Sequence, residues 1–240
     1  MEEKNAQLKK FENMLEAIER IKEMQSKSNE SVFIELIGTP RSGKTTLQNV
    51  LAKLFKDNEV QYVARKSLAT YCPIKPENDM YNLWITSEVL KKVAIDMSKR
   101  TSKVVIYDGG MLDRIPWLKY DIARGSISRM DYERLLSNYD ISIYKKYKPI
   151  SRVFKASPEI ASSRKKNGKE SISRYIIEDY NNMLDDSINE MKERSRSFKT
   201  IDTDQYGNDL KRMAVDCIPD ILTEVEKELY RQRSYKNYDD

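Results

Sequence analysis

Apolar residues along this chain recur at two periods, and the order in which the periods alternate is the first structural signal. Leu8, Phe11, Leu15, Ile18 and Ile21 fall every three or four residues, which predicts an amphipathic helix over about Glu3–Gln25. Val32–Ile37 is a short apolar run of the kind a strand buried on both faces requires. A helix over Thr46–Phe55 and a second strand at Val60–Ala64, closing on Arg65 and Lys66, come next. Met80, Leu83, Trp84, Leu90, Val93, Ala94 and Met97 return to helical spacing and predict a helix over Asp79–Lys99. Lys103–Asp108 reads as a third strand ending on a carboxylate.

The second half repeats the alternation. Ser128–Asp131 resembles a capping box opening a helix to about Tyr147, and Pro149–Ala156 reads as a fourth strand. Ser157-Pro158-Glu159 combines a hydroxyl cap, proline in the first turn and an acid against the helix dipole. A single helix is expected from Ile172 to Met191, a fifth strand at Phe198–Ile201, and a last helix from about Asn208 that Pro219 should kink or divide. Strands alternating with helices predict an α/β fold, a three-layer sandwich around a five-stranded parallel sheet, with the N-terminal helix added. Ser26–Glu30 reads as a hinge, dividing residues 1–30 from a main domain over 31–240. The N-terminal stripe is expected to pack on this chain's own sheet; a homodimer contact is the alternative.

Between the first strand and the helix after it lies Gly38-Thr39-Pro40-Arg41-Ser42-Gly43-Lys44-Thr45, which fits the Walker A pattern G-x-x-x-x-G-K-[ST]. Its glycines let backbone amides curl around phosphate oxygens at a helix N-terminus. Lys44 adds a point charge toward the β- and γ-phosphates, Thr45 a hydroxyl for Mg²⁺, and Arg41, Ser42 and Thr46 complete the expected nucleotide cradle. A chance glycine-rich turn would not need the strand before it and the helix after it. Asp108 at the end of the third strand then has the Walker B form, delivering a carboxylate to the metal shell. A strand-end aspartate capping the next turn is the alternative.

Composition narrows the chemistry. Lys and Arg number 43 against 38 Asp and Glu, a net charge of +5, which suits an anionic substrate and leaves a nucleic-acid partner open without favouring it. There is no histidine, so any general base is a carboxylate or lysine. Cys72 and Cys217 are too few for a disulfide framework and are expected to be packing residues. No apolar run approaches the roughly 20 residues of a membrane span, and Met1-Glu2-Glu3-Lys4 is unlike a signal peptide, so a cytoplasmic location is expected.

With these residues in order, the chain resembles the P-loop nucleoside and nucleotide kinases, of the thymidylate kinase and deoxynucleoside kinase kind, over roughly Ser31–Glu226. The resemblance implies a phosphotransferase using ATP and Mg²⁺, with a nucleoside monophosphate or nucleoside as acceptor. It implies that Arg65, Asp113 and Arg114 contact the acceptor, and that a basic lid near residues 157–170 closes over the donor through Arg164, with Arg174 a second candidate. Family members commonly carry an arginine directly after the strand-end acid; this chain has Gly109 there, and Arg114 is taken as the replacement. Deoxynucleoside kinases usually place a glutamate near the end of the second strand. Arg65 and Lys66 are more similar to the arginine with which thymidylate kinases hold an acceptor phosphate, which tilts the expectation toward a monophosphate. Asp108 or Asp113 would serve a hydroxyl acceptor instead. Tyr71, Tyr81, Trp84 and Trp117 are candidates to stack on a base. A kinase of another acceptor, such as a polynucleotide 5′-hydroxyl, and a nucleotide-dependent switch are the rival readings.

Overall fold

The computed structural model describes residues 2–99, 101, 103–139, 146–164 and 173–236. Five strands, β1 (Val32–Gly38), β2 (Tyr62–Arg65), β3 (Val104–Asp108), β4 (Ile150–Lys155) and β5 (Ser197–Asp202), form one parallel sheet in the order β2-β3-β1-β4-β5. Its central strand β1 alternates faces. Val32, Ile34 and Leu36 join one apolar cluster, while Phe33 and Ile37 join the other.

The first cluster packs under α1 (Glu2–Gln25), α2 (Lys44–Asp57) and α9 (Leu210–Lys236). The second packs under α3 (Met80–Ser98), α4 (Arg114–Ala123), α7 (Arg174–Asp185) and α8 (Ile188–Glu193). These are the three layers expected. The remaining helices, α5 (Arg129–Tyr139) and α6 (Pro158–Ser163), flank β4 in sequence. In α1 the inward face is Met14, Ala17, Ile18 and Ile21, which share a cluster with the α9 residues Ile218, Leu222 and Val225, whereas Leu8 and Phe11 remain exposed.

Several local expectations hold in atomic detail. The Ser157 hydroxyl accepts from the Ile160 amide at 3.3 Å, and the Ser128 hydroxyl accepts from the Asp131 amide at 3.1 Å, as the two caps predict. Three differ. The helix expected over 172–191 is two helices, separated where the buried Ser187 hydroxyl turns back to the Met183 carbonyl at 2.6 Å. The helix opened at Ser128 and expected to about Tyr147 is described as far as Tyr139, with 140–145 outside the described residues and Tyr147 in the non-helical stretch before β4, while Pro219 lies inside α9. Helix α4 is not among the elements expected from the sequence; Pro116 lies in its first turn, where no helical amide partner is needed. Among the described residues no helix is long and apolar enough to cross a membrane.

Candidate active site

The carboxyl ends of β1 and β3 open on one crevice at Gly38 and Asp108, and the loop Gly38–Gly43 forms its floor. Gly38 has φ +127° and Gly43 φ +102°, both in the region that favours glycine. A Cβ at Gly38 would lie 2.1 Å from the Phe154 carbonyl oxygen of β4, so the close strand-to-loop approach demands glycine there. The Thr39 amide donates to that same carbonyl at 2.9 Å, while its hydroxyl donates to Asn181 of α7 at 2.7 Å.

Lys44 is half-buried and donates to the carbonyls of Gly38 at 2.6 Å and Thr39 at 2.9 Å. Burial lowers the pKa of its ammonium, while the carboxylates of Asp113 and Asp108 pull it back up. The Thr45 hydroxyl donates to Asp108 Oδ2 at 2.6 Å. A P-loop hydroxyl and a strand-end carboxylate in contact are a hard-oxygen donor pair suited to Mg²⁺, which would complete its shell with phosphate and water oxygens. The Ser42 hydroxyl is buried without a hydrogen-bond partner beside them.

Two cavities open from this floor. One, of about 500 Å³, is lined by Arg41, Gly43, Lys44, Thr45, Thr46, Ser163, Arg164, Asn208 and Leu210. The other, of about 530 Å³, runs between α3, α4 and the start of α7, and its wall includes Tyr81, Asn82, Asp108, Asp113, Arg114, Trp117 and Tyr120. Among the described residues, Lys44 alone lines both. A cation shared between two solvent-reachable cavities is the arrangement that transfer of an anionic group from one to the other requires.

The second cavity is walled by the turn after β3. Gly109 has φ +76°, and a Cβ there would meet Asp113 Oδ2 at 3.1 Å and an Arg114 terminal nitrogen at 3.9 Å. The Arg114 guanidinium thus lies against the space a side chain at position 109 would enter. It pairs with Asp113 through Oδ2 and leaves its buried Nε without a partner. Asp113 in turn accepts at Oδ1 from the Gly38 amide and the Tyr180 hydroxyl, each at 3.1 Å. Tyr180 stacks on Trp117 with ring centroids 4.3 Å apart. Deeper in, Asn82 donates to Asp121 Oδ1 at 2.9 Å, and Asp121 Oδ2 is buried without a partner. Burial raises the Asp121 pKa to about 6.

Two expected site residues have their guanidinium groups bound to protein groups. Arg65 is absent from both cavity walls; its Nε and a terminal nitrogen bind Asp96 of α3 at 2.8 and 2.5 Å, and Asp96 also accepts from the Tyr107 hydroxyl at 2.8 Å. The physical reason is that Asp96 is a buried carboxylate beneath the sheet edge, and the nearest cation neutralises it. Arg164 does line the first cavity, and its guanidinium donates to the carbonyls of Gly207, Arg41 and Thr203 and to the Thr203 hydroxyl, at 2.7–3.3 Å. It fastens the turn after β5 to the P-loop. Residues 165–170 of the expected lid lie outside the described residues, and Arg174 pairs with Glu159 at the surface. Tyr81 and Trp117 line the second cavity; Tyr71 and Trp84 do not.

No family model matches the chain, and no curated protein matches it in sequence. Solved structures do match in fold. A deoxyadenosine kinase from M. mycoides with dCMP and dCDP bound superposes with a TM-score of 0.60 at 17% identity, covering 81% of this chain and 100% of its own. The same enzyme with dCTP matches with a TM-score of 0.56 at 17% identity, over 77% of this chain and 99% of its own. The likeness is one of the P-loop α/β fold across most of the chain.

Proposed function

We propose that this protein is a phosphotransferase that moves the terminal phosphoryl group of ATP to a hydroxyl of a nucleoside. The observation that carries the reading is Lys44 standing between the P-loop cavity and a second cavity with aromatic walls. In this assignment the ATP phosphates lie along the loop amides of residues 38–45, and Lys44 exchanges its contacts to the Gly38 and Thr39 carbonyls for the phosphoryl in transit. Thr45 and Asp108 would hold Mg²⁺, which would supply neutralisation of phosphate charge. Arg114 meets the acceptor side through the position that Gly109 leaves open.

The size and lining of the second cavity support a nucleoside. Tyr81, Trp117 and Tyr120 offer ring faces to a base, and Asn82, oriented by Asp121, offers one amide edge to its hydrogen-bonding groups. With Arg65 committed to Asp96, the main cation expected to favour a monophosphate is spoken for. A neutral hydroxyl needs a proton acceptor, and Glu77 is the wall carboxylate assigned to it, since Asp108 is given to the metal and Asp113 has both oxygens engaged. The deoxyadenosine kinase neighbours point the same way.

A screen of nucleosides, nucleoside monophosphates and 5′-hydroxyl oligonucleotides with labelled ATP and Mg²⁺ tests the reading. Turnover that depends on a nucleoside is expected. Preference for a monophosphate or an oligonucleotide reassigns the acceptor, and ATP hydrolysis indifferent to every acceptor overturns the kinase reading.

A further inference from the structure

The apolar run of β1 contains one charge, Glu35, and the structure places it on the face toward α3, α4 and α7, fully buried. Its Oε1 accepts from the Asp113 amide at 2.9 Å and its Oε2 from the Tyr147 hydroxyl at 3.0 Å. Gly110 lies so close that a Cβ there would be 2.6 Å from the Glu35 carboxyl carbon. The carboxyl is therefore packed under the turn after β3, and it holds the backbone of Asp113, the residue that caps Gly38 and pairs with Arg114.

The groups acting on it come from each neighbouring segment. Asp113 of the turn and Tyr107 of β3 add negative or potentially negative neighbours, the Asp113 and Leu112 amides and the Tyr147 hydroxyl donate toward it, and Ser151 of β4 lies beside it in register. Burial is the largest influence, with the Asp113 carboxylate adding to it, and together they push the Glu35 pKa to about 8 against the pull of those hydrogen bonds.

We propose that Glu35 is a positioning residue for the acceptor side of the site: while it holds its proton it anchors the Gly109–Arg114 turn through the Asp113 amide, and losing that proton releases the turn. An ionised carboxyl in this place is relieved only by admitting water. Strands β1, β3 and β4 are locked in the sheet, so the wall able to move is the glycine-bearing turn. Release carries Asp113 and Arg114 away from Gly38 and the second cavity, leaving the ATP cradle of Gly43–Thr46 in place.

The inference rests on the phosphotransferase reading for its consequence but not for its test. Trp117 reports on the turn, because it stacks on Tyr180, whose hydroxyl donates to Asp113. In a Trp84→Phe background, which leaves Trp117 as the sole tryptophan, emission is followed from pH 6 to 9.5, without ligand and again with Mg-ATP. The expected result is a one-proton transition near pH 8 that disappears in Glu35→Gln, which keeps the shape and stays neutral. Where a nucleoside is turned over, its kcat/KM should fall about tenfold per pH unit above the transition and stay level in Glu35→Gln, with the KM for ATP unchanged. A transition that persists in Glu35→Gln, or a wild-type signal flat across the range, overturns the proposal. Failure to phosphorylate any acceptor overturns the phosphotransferase reading and leaves the fluorescence result standing.

Discussion

Arg65→Ala separates two roles that one arginine at the end of β2 could have. In the fold its guanidinium is bound to Asp96. Asp96 is 3% exposed and receives two contacts from Arg65, one from Tyr107 and a weaker one from Lys99 at 3.5 Å. Breaking a fully buried ion pair from one side costs about 3–5 kcal/mol, because the remaining charge stays buried. Here the Arg65 side chain keeps 30% of its exposure and Lys99 can move in, so roughly 2 kcal/mol is expected. For a chain of this size that is a fall in Tm of about 4–8 °C. The pH dependence follows from Asp96. Burial pushes its pKa up, but the hydrogen bonds from Arg65 and Tyr107 and the charges of Arg65 and Lys99 outweigh burial and leave it lowered. A carboxylate with a lowered folded pKa stabilises the protein above its unfolded value, and the gain is lost as pH falls through the folded value. The difference between wild type and Arg65→Ala should therefore be largest near neutral pH and shrink below about pH 4. Urea unfolding at several pH values, with acceptor kinetics at pH 7, measures both quantities. Unchanged stability together with an acceptor KM raised tenfold or more would refute the assignment and return Arg65 to an acceptor phosphate.

Three further substitutions probe the two cavities. Lys44→Ala should slow phosphoryl transfer at least a hundredfold, about 2.7 kcal/mol or more in the barrier, with Tm changed little; near-normal turnover in the folded variant would sink the P-loop assignment. Asn82→Ala should raise the KM of a nucleoside roughly tenfold, about 1.4 kcal/mol, and leave that of ATP alone, which steady-state kinetics with both substrates varied resolves. Arg164→Ala strips four hydrogen bonds from the carbonyls of Gly207, Arg41 and Thr203 and from the Thr203 hydroxyl, so it should weaken ATP binding and lower Tm together. A fall in kcat alone, at unchanged ATP affinity and Tm, would instead make it a group that meets charge developing during transfer.

The donor half of the site was legible in the sequence because its chemistry is local. Gly38, Gly43, Lys44 and Thr45 lie within one loop whose spacing fixes their geometry, and Asp108 follows from a strand that must lie beside it. The acceptor half is assembled from β1, α3, α4 and α7, so its members are 35, 82, 113 and 180 in number and carry no shared spacing. Glu35 did leave a trace, a lone acid in an otherwise apolar strand. Asn82 and Asp121 left none, since each occupies a helical position that reads equally well as solvated surface. Arg65 and Arg164 were read from charge and position along the chain as ligand contacts; what the sequence did not reveal is that one meets Asp96 and the other backbone carbonyls.

On the phosphotransferase reading, donor and acceptor must be held in line to within a fraction of an ångström, and the ties between the two cavities would serve that end. Asp113 joins the acceptor turn to the Gly38 amide of the donor loop. Two consecutive residues of α7 then brace that junction from the same side: the Tyr180 hydroxyl on Asp113 and the Asn181 side chain on Thr39 and Ala156. Glu35 closes the circuit from β1, gripping the amide of the same Asp113. A shift of either loop alone would strand buried polar groups, each costing about 1–3 kcal/mol. While Glu35 holds its proton, the loop after β1 and the turn after β3 are consequently tied together through Asp113, and α7 braces both through Tyr180 and Asn181.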